Sequence, residues 1–68
     1  MTKRAEPLFR VLEFDNGQPW IVLELCRGDK LDLLKKTVGF DLPPRTTLDE
    51  AKQITDYLQR HLTHVSET

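Results

Sequence analysis

Asn16-Gly17 stands between two apolar, β-prone runs, residues 8–14 and 20–26, and this arrangement restricts the fold more than any other feature of the chain. A two-residue type I′ turn needs positive φ at both central positions, which Asn tolerates and Gly adopts freely. The expectation is an antiparallel hairpin whose register follows from the loop length. Glu13 then faces Trp20, Leu12 faces Ile21, Val11 faces Val22 and Leu8 faces Leu25. Successive side chains of a strand alternate between its faces. One face of the expected hairpin holds Leu8, Leu12, Phe14, Ile21, Leu23 and Leu25 with Arg10, and reads as the core face. The other holds Phe9, Val11, Trp20 and Val22 among Glu13 and Glu24. That second face is too apolar for a surface that meets only water.

Arg27-Gly28-Asp29 ends the second strand. Over residues 30–38, Leu31, Leu34 and Val38 recur at i, i+3 and i+7, which predicts a short helix. Asp29 suits its N-cap, Asp32 its first turn, and Lys35 and Lys36 its last turn. Gly39 suits the C′ position, with Phe40 packing back. The alternative makes residues 30–36 the third strand of a meander, followed by one C-terminal helix. That pairing would set Asp32 and Lys36 on the face of Leu23 and Leu25. Pro43-Pro44 holds an extended loop. Thr47-Leu48-Asp49-Glu50 is a capping box and opens a helix over residues 48–64. Its apolar stripe is Leu48, Ala51, Ile54, Leu58, Leu62 and Val65, with Tyr57 and His61 on one flank.

The expected order is ββαα, an α+β domain with both helices packed on one face of the hairpin. Its core draws on Leu8, Leu12, Ile21, Leu23, Leu25 and Leu34 with Val38, Leu48, Ala51, Ile54, Leu58 and Leu62. Residues 1–7 read as a flexible N-terminus, 8–65 as a single domain and 66–68 as a frayed end. The hairpin followed by Thr47, Asp49, Glu50 and Ala51 resembles small sheet-plus-helix modules, integrase arm-type domains among them. The resemblance implies a third strand in place of the first helix, and it carries no functional residue.

A chain of 68 residues buries only about 60% of its unfolded surface and gains from a staple or a partner. Cys26, the one cysteine, excludes an intramolecular disulfide. The expectation is a homodimer, with two hairpins joined into a four-stranded sheet. No apolar run approaches the roughly 18 residues of a membrane span, and the N-terminal residues lack the apolar core of a signal peptide. A cytoplasmic protein with a reduced cysteine, no cofactor and no membrane partner is expected.

Chemistry-bearing groups are sparse. His61 and His64 are spaced i, i+3, but two ligands do not make a metal site, and the helix flank and its C-terminal dipole account for them. Cys26 has Arg27 and Lys30 nearby but no adjacent base, which fits a small buried hydrophobe rather than a nucleophile. The three glycines are isolated and form no phosphate loop. The expected function is therefore a non-catalytic protein–protein interaction or accessory module. It would act through Phe9, Val11, Trp20 and Val22, because a contiguous aromatic patch marks a contact surface. The alternative is a small nucleic-acid-binding regulator using Arg27, Lys30, Lys35 and Lys36. A net charge of −1 weighs against that alternative, since it offers no field to attract a polyanion.

Overall fold

The hairpin forms with one more residue in its turn than the sequence suggests. The computed structural model describes the backbone of all 68 residues and every side chain except those of Leu25, Cys26, Leu33 and Leu34. Strand β1 (Lys3–Glu13) runs antiparallel to β2 (Pro19–Gly28). Between them, Gly17 N–H donates to the Phe14 carbonyl at 2.8 Å and Phe14 N–H donates to the Gln18 carbonyl at 2.9 Å. Gly17 alone in the turn takes positive φ, at 84°. Asn16 does not, and its side-chain oxygen accepts from the Gln18 N–H at 2.9 Å. This is a type I turn closed by a glycine bulge, the three-residue hairpin loop, in place of type I′.

The added loop residue shifts the register by one. Leu12 faces Trp20, Val11 faces Ile21 and Phe9 faces Leu23. Because side chains alternate, such a slip turns a whole strand over relative to its partner. Ala5, Pro7 and Phe9 of β1 are buried, while Leu8, Arg10 and Leu12 are exposed. Leu8 and Leu12, expected in the core, therefore lie on the opposite face. A second irregularity falls between Glu6 and Pro7, where β2 carries an additional residue before the pairing resumes at Arg27.

Residues 30–38 do not form a helix, which corrects the two-helix architecture. A 3-10 turn at Asp32–Lys35 leads instead to strand β3 (Val38–Asp41). β3 pairs antiparallel with β2, Ile21 facing Phe40 and Leu23 facing Val38. The meander alternative also misplaces its third strand, which lies at Val38–Asp41 rather than 30–36. The reason is local. Asp29 caps nothing; its N–H donates to the Arg4 carbonyl at 2.9 Å and its carboxylate accepts from the Arg4 N–H at 3.0 Å. A short helix with one narrow stripe has a costly nucleus and little to bury. Burying Leu31 and pairing Val38 and Phe40 against β2 satisfies more apolar and backbone groups.

Strand β4 (Val65–Glu67) pairs antiparallel with the start of β1, Ala5 facing Val65. Segments 1–7 and 66–68, read from the sequence as loose ends, thus contribute paired strand residues. The sheet order is β3-β2-β1-β4. The four-stranded sheet is built within one chain rather than by joining two hairpins.

Helix α1 (Leu48–His61) begins where the capping box places it. The Thr47 hydroxyl oxygen accepts from the Glu50 N–H, and the Glu50 carboxylate accepts from the Thr47 N–H, both at 3.1 Å. These bonds hold the Glu50 carboxyl below the usual glutamate range, the backbone donor of Thr47 contributing most. The helix ends at His61, three residues before the expected end, so that β4 can return to the sheet.

α1 packs across β1 and β2 over a core of Phe9, Ile21 and Leu23, flanked by Val38, Leu42, Leu58 and Val65. Fully buried Ala51 lets the helix approach closely. Leu48, Ile54 and Leu62, expected in the core, are exposed; Ile54 and Leu62 border an opening between the helix and β3. The core roles expected of Leu25 and Leu34 lie outside the described side chains.

Candidate functional site

With the helix on one face, the register assigns the other face its residues. Leu8, Arg10 and Leu12 come from β1, Trp20, Val22 and Glu24 from β2, and Gly39 and Asp41 from β3. Phe14 joins them at the turn, its ring stacked on Trp20 with centroids 5.0 Å apart and planes 8° from parallel. The indole reaches across to β3, where Gly39 leaves room for it; a Cβ there would lie 2.3 Å from Trp20 Cζ3. Val22, in register with Gly39, is buried. Arg10 and Glu24 form an ion pair at 2.9 Å in the middle of the face. Leu8, Leu12 and Phe14 keep 37%, 39% and 46% of their surface exposed, so the described residues leave these side chains uncovered.

The four residues expected to share a patch are divided by the register. Trp20 and Val22 lie on the outer face. Phe9 and Val11 lie on the helix side, where the Phe9 ring meets Phe40 at 6.4 Å. Leu12 and Phe14 take their place beside Trp20, and Leu8 lies farther along the same face, opposite Glu24. The signal that could have found them is the spacing of Leu8, Leu12 and Phe14 on even positions, which the sequence reading spent on the core.

The Phe14–Trp20 stack separates two shallow concavities. One is lined by Leu12, Glu13, Asp15 and Asn16 beside the rings, the other by Phe14, Pro19, Asp41, Leu42 and Pro44 among others. Every charged group lining either one is a carboxylate, and none of the ion pairs described involves Glu13, Asp15 or Asp41.

The basic residues of the nucleic-acid alternative gather elsewhere. Arg27 faces Glu6 near the end of β2, Lys30 follows in the loop, and Lys35 pairs with Asp32 at 3.7 Å. Lys36 is exposed just beyond. Eight residues of β1 separate Glu6 from Phe14, roughly 26 Å of strand. The basic group and the aromatic stack are thus at opposite ends of the sheet.

A third feature lies between α1 and the open part of the inner face. It is an apolar cavity of about 530 Å³, bordered by Phe40, Ile54, Leu58 and Leu62, with His64 as its polar member. His61 is not with it; its ring packs on Tyr57 at 4.2 Å. Among the described residues, no three His, Cys, Asp or Glu side chains gather as metal ligands. Cys26, weighed as a nucleophile, lies outside the described side chains. Among the described residues, no helix is long and apolar enough to cross a membrane. No protein-family model matches the chain, and neither a curated protein nor a solved structure does.

Proposed function

We infer that the chain is a protein–protein interaction module that docks through the outer face of its sheet and performs no chemistry of its own. One observation carries this reading: Leu12, Phe14 and Trp20 form an apolar cluster at the hairpin end of the outer face that the described residues leave uncovered, with Leu8 exposed beyond the Arg10–Glu24 pair. Scattered apolar residues on a surface mean little, but a cluster built on two stacked aromatic rings has the makeup of an interface centre. The carboxylates beside the stack repel phosphate, so this part of the outer face suits a protein partner better than a nucleic acid. A cytoplasmic setting accords with a single cysteine.

The test places a photo-crosslinking side chain at Leu12, in the cluster, and separately at Gln53, exposed on α1. A discrete adduct is expected at Leu12 alone, and Phe14→Ser should suppress it. Equal labelling at both positions, or none at either, overturns the reading.

A further inference from the structure

We propose that the bare edge of β3 and the apolar opening beside it form a docking site for an extended segment of another protein, which joins the sheet as a fifth strand. The site lies apart from the outer-face cluster, and neither reading depends on the other.

The alternation of ladder hydrogen bonds shows which backbone groups of β3 are free. Phe14 N–H donates to the Gln18 carbonyl, so the bonded pairs of β1 and β2 continue at Leu12 with Trp20 and at Arg10 with Val22. Phe9 N–H, which meets Gln59 on the other side of β1, fits the same alternation. Ile21 and Leu23 therefore turn their backbone groups to β3, where they meet Phe40 and Val38. The N–H and C=O groups of Gly39 and Asp41 point away from β2. β3 ends the strand order, and none of the hydrogen bonds described reaches these four groups. The other edge is treated differently, since β4 and Gln59 serve β1 from Lys3 to Phe9. An unpaired edge is a template for another strand, and charge or proline is the usual protection. β3 carries neither over Val38–Phe40.

The surface beside this edge is apolar. Val38 and Phe40 line the cavity of about 530 Å³ together with Ile54, Leu58 and Leu62. α1 turns Gln59 to β1, so Ile54, Tyr57 and His61, round the opposite side of the helix, stand towards β3. Phe40 faces the helix side yet remains nearly half exposed, as does Leu62. A strand paired to β3 lies about 4.8 Å beyond it and sends every second side chain under the helix, next to Phe40 and Val38. One occupant thus meets both the bare backbone and the apolar opening. A small apolar molecule or a helix fills the opening alone, because neither offers a row of backbone donors and acceptors.

Charge sets the pattern of the added segment. None of the ion pairs described includes Asp41, at one end of β3, or exposed Lys36, just before the other. The backbone at Lys36 is extended, so pairing can reach it. Every strand pair of the sheet is antiparallel. An antiparallel segment, read from its N-terminus, then places a cation opposite Asp41, apolar residues opposite Phe40 and Val38, and a carboxylate opposite Lys36.

The probe is the peptide acetyl-Lys-Val-Thr-Leu-Thr-Glu-amide, titrated into the full chain and followed by amide hydrogen exchange and NMR. In the free chain, Gly39 and Asp41 N–H should exchange fast, and Val38 and Phe40 N–H slowly. Saturating peptide should slow Gly39 and Asp41 by about tenfold. N-methylation of the third peptide residue, whose N–H faces Gly39, should weaken binding about tenfold, the loss of one hydrogen bond. N-methylation of the fourth, whose N–H faces away, should leave binding unchanged. Serine in place of both apolar residues should abolish it. Asp41→Lys should weaken binding several-fold, and a peptide beginning with Glu should recover it. Asp41 is exposed, so circular dichroism should report this variant folded. No binding at millimolar peptide overturns the proposal. Binding indifferent to which amide is methylated also overturns it and leaves an apolar groove only. Protection of Gly39 and Asp41 in the free chain does the same, with a second copy as the occupant where that protection grows with protein concentration.

Discussion

The indole of Trp20 occupies the space that a side chain at Gly39 would need, with a Cβ there falling 2.3 Å from Cζ3 and 2.4 Å from Cε3 of the ring. Gly39 has no positive φ, so the glycine is required by the neighbour and not by its own backbone. Gly39→Ala should drive the indole off β3 and out of its stack with Phe14, at a cost of ~1–3 kcal/mol from overpacking. The emission maximum of the single Trp should shift, and urea denaturation should give the stability loss. An unchanged spectrum would show that the ring does not rest on Gly39.

Gln59 joins the helix to the sheet by imitating a strand. Its carbonyl oxygen accepts from the Phe9 N–H and its amide donates to the Pro7 carbonyl, both at 2.9 Å. β4 pairs only with Lys3–Ala5, so Gln59 serves the stretch of β1 just beyond it. Gln59→Leu leaves a part-buried donor and acceptor unpaired and should cost ~1–3 kcal/mol. Gln59→Glu is more discriminating. An ionised carboxylate can accept from Phe9 but cannot donate to Pro7, whereas a protonated carboxyl can do both. The Gln59→Glu chain should therefore recover towards wild type in acid, read as a smaller difference in melting temperature at about pH 4 than at about pH 7.

These two relationships also mark how far the sequence can be read. The capping box was legible because Thr47 and Glu50 are three residues apart and the motif needs no tertiary partner. The hairpin's existence was legible from Asn16-Gly17, but its register was not. Asn-Gly fits a two-residue loop, in which Asn takes positive φ, and equally a three-residue loop, in which only Gly does. The alternation of β1 could not arbitrate, because both Leu8/Leu12/Phe14 and Phe9/Val11 are apolar sets. The same one-residue slip splits Phe9 and Val11 from Trp20 and Val22. β3 was hidden for a different reason. It has four residues, one of them a glycine whose use is visible only once Trp20 is seen across the ladder. β4 pairs with β1 over a separation of some sixty residues, beyond any local pattern.

The capping box gives the helix a defined pH response. Hydrogen bonds from Thr47 lower the pKa of Glu50 in the folded chain. A lowered folded-state pKa means that the contribution is complete above the ordinary glutamate pKa and is lost as pH falls through the folded value. Gln at position 50 can still accept from the Thr47 N–H but carries no charge for the helix N-terminus. The wild-type advantage over Glu50→Gln should thus be present at neutral pH and vanish in acid, measured by thermal unfolding across that range. Thr47→Ala should cost about 1 kcal/mol at neutral pH, since it removes the acceptor for the Glu50 N–H.

The two phenylalanines of the hairpin decide which register the chain adopts in solution. In the register described, Phe9 is 8% exposed and packs with Ile21 and Leu23, while Phe14 is nearly half exposed on the outer face. With a two-residue turn the roles would exchange, Phe14 entering the core and Phe9 facing out. Phe9→Ala should therefore cost ~3–5 kcal/mol, the cost of emptying a core aromatic site. That is comparable to the whole stability expected of so small a domain, so the variant should unfold or nearly so. Phe14→Ala loses only partial burial and a ring stack of ~0.5–1.5 kcal/mol, and should remain folded while its Trp20 fluorescence changes. Measuring both by chemical denaturation gives a difference whose sign reports the register. A larger loss at Phe14 than at Phe9 would restore the two-residue turn and move Trp20 to the opposite face from Phe14.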